Sequence, residues 1–390
     1  MRASILLVLA LELVAAPRAW AQANATLVPS LSIGSVYDDN LFAKSNGDAG
    51  SMTLLRPSLE GNYESPTLTL LSLFSFDMQR SNHAALTTLD ARRHANFDIK
   101  HRSTPSATLA LGLRYDRTET PGELNLDTAI LGERRIAERW ELVPSIAYRA
   151  RPRTTINISY SGMTETLLDD IRGMLHVGRA GVTRQVSTRD DITVSYLGRQ
   201  FMDPLEWHGS HAVLLGWSRE LAYATNLTLQ AGPRESSVRG LDAEVLAGFT
   251  RNTNRVRIGM DYWHGETLIL GIHGPVAVDT ASARLVWPVT QRTEFGLHTG
   301  VTDSTTLEDQ NIRVYRAILL GAWTPHGGPY TLSASYGAEF QRGLIRRSLF
   351  IDDQVTRQTF RVNLTIAPRL SRTFRPTGEP PVVRRPGAAQ

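Results

Sequence analysis

The chain has no cysteine, only two lysines (Lys44 and Lys100), and no apolar run beyond its N-terminus long enough for a spanning helix. Without disulfides, a secreted β-protein must be held by something else, and a closed hydrogen-bonded barrel supplies that. The shortage of lysine makes nearly all of the 42 basic residues arginine, which reads as codon bias rather than a phosphate-binding adaptation. A hydrophobic content of 42% with a mean hydropathy of −0.20 excludes a helical membrane protein. It suits a transmembrane barrel, where about half of each strand is polar. A charge excess on the folded part is also lacking. The tail after Pro368 carries Arg369, Arg372, Arg375, Arg384 and Arg385 against Glu379, which matches the formal net charge of +4 of the whole chain. The body is therefore nearly neutral, which excludes a nucleic-acid partner.

What is present is period-two alternation. From Leu89 to Lys100, Leu89, Ala91, Ala95, Phe97 and Ile99 share one face with a single Arg93, while Asp90, Arg92, His94, Asn96, Asp98 and Lys100 share the other. After the turn residues Arg102–Ser106, Leu109, Leu111, Leu113 and Tyr115 alternate with Thr108, Ala110, Gly112, Arg114 and Asp116. Such a period means strands. A charged face opposite an apolar one fits a strand between lipid and a watery lumen, although a soluble sandwich gives the same pattern locally.

The order of connections separates the two. Short turns near Glu64–Pro66, Arg151–Arg153, Ser187–Asp190, Glu220–Tyr223, Arg251–Asn254, Pro288–Gln291 and Thr324–Pro329 take turns with longer loops. The longer ones fall at Asp38–Gly50, Arg117–Ile136, Met163–Gly173, Phe201–His208, Pro233–Gly240, His264–Pro275, Asp303–Asn311 and Gln341–Asp353. Short periplasmic turns alternating with long external loops mark an up-and-down barrel. The expected fold is all-β: a single antiparallel up-and-down transmembrane β-barrel of about 18 strands, with about 16 to 18 the range. Residues 1–21 read as a signal peptide, 22–368 as the barrel and 369–390 as a disordered Pro/Arg-rich periplasmic tail. Strand pattern begins at about Leu27, which leaves no room for a plug domain in residues 22–26. Aromatics are expected in two girdles. Tyr37, Tyr115, Trp140, Tyr160, Tyr196, Tyr262 and Trp263 stand beside long loops; Tyr63, Tyr148, Trp217, Phe249, Trp287 and Trp323 stand beside short turns.

The alternation assigns a lumen face. Its charged candidates are Arg92, Asp98, Lys100, Arg114, Asp116, Glu141, Arg149, Arg199, Asp242, Glu244, Arg257, Asp261, Arg357 and Arg361, with Glu60, Glu294 and Glu339 beside them. Mixed signs suit hydrated neutral or large polar solutes better than a strongly selective ion path. They also suit a wall whose charges merely pair with one another. In the final strand Phe360, Val362, Leu364 and Ile366 face outward, with a shift of face near Thr359. Segments 174–186 and 276–287 alternate poorly, and Arg179 and Arg316 look awkward there.

The segment Arg117–Ile136 exceeds the usual loop length, and its Leu124, Leu126, Ile130 and Leu131 are more apolar than a solvated loop needs. It is expected to fold into the barrel mouth as a constriction, while its Asn125 is expected to stay reachable from outside. Ten histidines stand in no hydrolytic frame, and no metal or cofactor motif is present. The pairs Asp38-Asp39, Asp169-Asp170 and Asp352-Asp353 are loop acids, with cation binding the lesser expectation.

One stretch, Ile33-Gly34-Ser35-Val36-Tyr37-Asp38-Asp39-Asn40-Leu41-Phe42, resembles the first strand and loop of a β-barrel porin family of Gram-negative outer membranes. The resemblance implies one barrel running to the C-terminus, lipid and lipopolysaccharide as surroundings, and frequent association with exopolysaccharide export machinery. The Pro/Arg-rich tail departs from the family's usual ending. The expected function is an outer-membrane pore for hydrophilic solutes, as the exit channel of polysaccharide export in its finer form. A non-conducting structural or adhesion barrel and a membrane-embedded hydrolase are the alternatives.

Overall fold

The computed structural model describes residues 23–368 apart from 45–46, 126–127, 133, 168–170, 204–205, 326–327 and 344–353. The expected signal peptide and tail lie outside the described residues. The chain forms β1 (Asn24–Asp38), β2 (Gly50–Glu64), β3 (Leu68–Ser81), β4 (Thr88–Thr104), β5 (Ala107–Thr118) and β6 (Ala137–Arg151). It continues with β7 (Thr154–Leu167), β8 (Ile171–Gln185), β9 (Asp190–Met202), β10 (Trp207–Ala222), β11 (Thr225–Ser236) and β12 (Gly240–Asn252). The last third is β13 (Arg257–Thr267), β14 (Val276–Pro288), β15 (Thr293–Thr305), β16 (Asn311–Trp323), β17 (Tyr330–Arg342) and β18 (Gln354–Ile366). Each strand pairs antiparallel with the next, and β18 closes on β1, so the 18-stranded sheet has no free edge. Closure satisfies the backbone polar groups that lipid cannot.

The period of two sets the faces. In β1, Leu27, Leu31, Ile33 and Tyr37 point outward, whereas Val36 and Asp38 are buried inside. In the β4–β5 hairpin the outward residues face each other across the strands, Ala95 with Tyr115, Phe97 with Leu113 and Ile99 with Leu111. Directly opposed apolar pairs of this kind are the unit of sheet stabilisation. The outward girdle residues Tyr37, Trp140, Tyr160, Tyr196 and Tyr262 at one end, and Tyr148, Trp287 and Trp323 at the other, are all exposed on the barrel exterior.

Several expectations are corrected. The β3–β4 register shifts between Asp77–Arg92 and Gln79–Thr88. This bulge turns Ala91 into the interior, where it is buried, and leaves Asp90 beside the outward arginines. Asp90 accepts from Arg93 Nε at 2.7 Å and also pairs with Arg117. Arg93 is thus neutralised on its own face. Trp263 faces inward: its Nε1 donates to Glu244 at 3.1 Å. Pairing of β18 with β17 runs unbroken from Gln354 to Ile366, so there is no shift of face at Thr359. The loop expected over Met163–Gly173 is mostly strand, because β7 runs to Leu167 and β8 starts at Ile171.

Candidate functional site

The interior divides by height. At the end with the long connections, the segment between β5 and β6 folds into the mouth, as its apolar residues imply. Leu124 and Ile130 pack with Ile269, Leu270 and Ile272 of the β13–β14 connection and with the inward Val276, Val278, Ile312 and Val314. Leu131 is buried nearby; Leu126 lies outside the described residues. Polar groups fix the segment. The Leu131 backbone N–H donates to Gln341 Oε1 at 2.8 Å, and the Leu270 N–H donates to Asn125 Oδ1 at 3.2 Å. Asn125 is therefore buried, contrary to the expectation that it would be reachable from outside. Thr118 donates to Glu123 at 2.8 Å, and Arg92 pairs with the same carboxylate. Desolvation pushes the Glu123 carboxyl up, but Arg92 beside it, the Thr118 hydroxyl, Arg361 and Arg357 outweigh that and hold it at about 2. Burial raises Glu119 above the usual carboxylate range, with Arg134 and Arg117 only partly offsetting it.

The wall beside and beneath this mouth is lined by charged pairs. Arg199 holds Glu244 through two bonds of 2.6 and 3.0 Å, and Arg234 bridges Glu244 at 3.0 Å and Asp242 at 2.6 Å. Arg357 clasps Asp38 at 2.7 Å and faces Glu339 at 3.8 Å. His94 Nδ1 meets Asp116 at 2.5 Å, and Arg114 meets Glu141 at 3.8 Å. Arg257 pairs with Glu294, while Arg92 reaches Asp77 at 3.6 Å. Asp98 accepts from Asn96 at 2.6 Å. Lys100 stands opposite Ala110, Arg149 opposite Thr155, and Asp261 opposite Gly248 and Ser282. Every charged lumen candidate thus lies on the inward register, mostly joined in pairs; Arg361 is taken up below.

Asp38, Arg56, Asp77, Arg139, Glu165 and Arg234, absent from the lumen set drawn from the sequence, join such pairs as well, Arg56 with Asp77 and Arg139 with Glu165. Asp38 ends β1 rather than standing in the loop, and its partner lies at the other end of the chain. Parity with Ser58 and Glu60 is the signal that places Arg56 inward. Asp38 and Asp39 are engaged by Arg357 and by the Gln358 backbone N–H, so they form no free loop-acid pair. The other two acid pairs lie outside the described residues. Arg179 and Arg316, read as awkward, both face the lumen, and Arg316 meets Glu339 at 3.2 Å.

A closed strand ring with an apolar exterior, two aromatic girdles and a charged interior defines a transmembrane β-barrel of the bacterial outer-membrane class, and the outer membrane is its location. The ring agrees with the architecture that the first-strand resemblance implies. No family model matches the chain, and no curated protein sequence matches it either. Among solved structures it is similar to Pseudomonas aeruginosa OpdQ, with 12% identity, 88% of this chain and 99% of that chain covered, and a TM-score of 0.48. It is similar to P. aeruginosa OccK2 (OpdF) in complex with glucuronate, with 10% identity, 88% and 98% covered, and a TM-score of 0.49. Acinetobacter baumannii OccAB4 gives 9% identity, 89% and 99% covered, and a TM-score of 0.46. At these values the likeness bears on no solute.

Proposed function

We propose that the protein is a passive outer-membrane pore for hydrophilic solutes, narrowed at its mouth by the segment between β5 and β6. The observation that carries this reading is an 18-strand ring whose lower interior is lined by polar and charged side chains rather than filled by a core. A ring of about 18 strands is wide enough for an aqueous channel, whereas one of about eight is filled by side chains. The finer form, an exit channel for exopolysaccharide, is supported by the first-strand resemblance and by the mixed signs of the wall. Against the hydrolase alternative, histidine rings among the described residues meet Asp116, Asp279, Tyr160 and Tyr196, not a serine hydroxyl.

The test is single-channel recording of the purified protein beside a variant lacking Gly122–Gly132. Assembly of both is expected, with a larger conductance in the deletion. Two silent proteins overturn the pore reading in favour of a structural barrel; two equal conductances keep the pore and discard the constriction. Loss of polysaccharide release in a strain lacking the gene tests the finer form.

A further inference from the structure

Below the docked segment, a recess of about 40 Å³ is bounded by Arg92, Arg134, Arg357, Arg361, Asp77 and Glu123, among other residues. Three of these arginines have carboxylates. Arg92 has Glu123 and Asp77, Arg134 has Glu119 at 3.9 Å, and Arg357 has Asp38 and Glu339. Arg361 has none within 4 Å among the described residues. Register explains why: Arg357 is opposite Glu339, but Arg361 falls opposite Ser335 on one side and Val36 on the other. Its charged neighbours are Arg92 and Arg56, with Glu123 and Asp77 already taken by those two guanidiniums.

A half-buried guanidinium beside two others, without an acid of its own, is costly unless something completes it. Its planar fork matches an anionic oxygen group through two parallel bonds. A water needs roughly 10–15 Å³ of such space, so the recess holds a few waters or one anionic group, not a sugar ring. We infer that Arg361, with Arg92 beside it, forms a binding site for the carboxylate or phosphate group of a permeating solute, while the rest of the solute stays in the open lumen. This rests on the pore reading and sharpens it: the wall as a whole is mixed, but Arg361 leaves a valence open here for an anion.

The test uses the full chain, first in planar bilayers across a KCl gradient with succinate or inorganic phosphate added. In parallel, detergent-solubilised protein is titrated calorimetrically with the same two probes. Binding and current block by one or both are expected, and which probe binds separates carboxylate from phosphate. Arg361→Gln should raise the half-blocking and half-binding concentrations at least about tenfold and shift the reversal potential toward cations. Arg361→Met keeps the volume and should behave alike; Arg361→Lys should restore the reversal potential but not the affinity. Heat-modifiable migration on gels checks that each variant is assembled. A conducting wild type whose block, binding and selectivity are unchanged in Arg361→Gln overturns the site and leaves the pore. Binding lost in Arg361→Gln without conductance in the wild type keeps the site and overturns the pore. Neither binding nor conductance overturns both.

Discussion

In the outer half of the lumen β8, β9 and β14 turn Leu175, Val177, Phe201, Val276 and Val278 inward; lower down the same strands turn in Gly181, Thr183, Thr193, Thr280, Ser282 and Arg284. The upper residues are buried, Val177 only partly, because connections fold back on them. Leu268 packs on Leu175 and Phe201, and Ile269, Leu270 and Ile130 pack on Val276 and Val278. The lower residues have no such cover and meet the lumen. Lipid outside and a packed loop inside make the same demand on a side chain. An inward apolar patch therefore marks where this barrel is filled; an inward polar patch does not by itself mark an opening, since Arg234 and Glu244 are fully buried.

The largest test of that contrast is Ile130→Asp, which puts a carboxylate at a fully buried position in the mouth cluster. An uncompensated buried charge costs about 3–5 kcal/mol, more than docking of one segment can bear. The segment should leave the mouth, seen as proteolytic cleavage within it and as higher conductance, with the barrel still assembled. If the segment stays protease-resistant, the mouth is not packed as described. Next, Leu111→Arg places a charge on the lipid face of β5, at a cost of about 2–4 kcal/mol near the midplane. Ala110→Arg enters the open lower lumen and should assemble normally. Equal assembly yields would mean that both faces of this hairpin are packed.

A smaller effect is expected of Gln341→Ala, which leaves the Leu131 N–H without its acceptor, for about 1–3 kcal/mol. Flickering between two conductance levels is the expected record, and a steady wild-type trace would show that this bond does not hold the segment. Cysteine labelling of intact cells should modify Gly47→Cys, exposed in the β1–β2 loop, and spare both Asn125→Cys and Arg151→Cys. Labelling at Asn125 would place the segment outside the mouth; labelling at Arg151 would invert the barrel. The smallest effect concerns acid. A carboxylate whose folded pKa is depressed adds stability above its unfolded value, near about 4.3, and loses it as pH falls through the folded one. For Glu123 that window ends at about 2, so its hold on the segment should persist from pH 7 to pH 4. Glu123→Gln should loosen the segment at pH 7, measured as added current noise; a wild type that loosens equally at pH 4 would contradict the pairing with Arg92.

The ring of strands was legible because lipid enforces alternation wherever the lumen is wet, and because turns and loops alternate in length. Legibility failed where a third environment intruded. Segments 174–186 and 276–287 alternate poorly since their upper inward positions face packed connections, and the same cause turns Trp263 inward. Asp90 and Ala91 were exchanged because a bulge is a tertiary event with no mark in local spacing. The charged lumen residues could be recognised by parity, but not their partners. Asp38 and Arg357 lie 319 residues apart, and only closure of the ring brings them together.

That closure has a consequence for how the molecule comes into being. β1 pairs with β2 along Asn24–Asp38, yet with β18 only along Leu31–Asp38. The shorter seam carries side-chain fasteners: Arg357 on Asp38, Asn40 on the Thr356 carbonyl at 2.9 Å, and Ser32 with Thr365 at 2.6 Å. Every other strand contact joins neighbours in the chain and can form as they arrive, whereas the seam must wait for the last strand. Until then both terminal strands expose unpaired backbone, the condition in which sheets recruit foreign strands. A chain stopped short of Gln354 would therefore remain an open ribbon awaiting a partner, and in the cell it would be a substrate for proteases rather than a smaller channel.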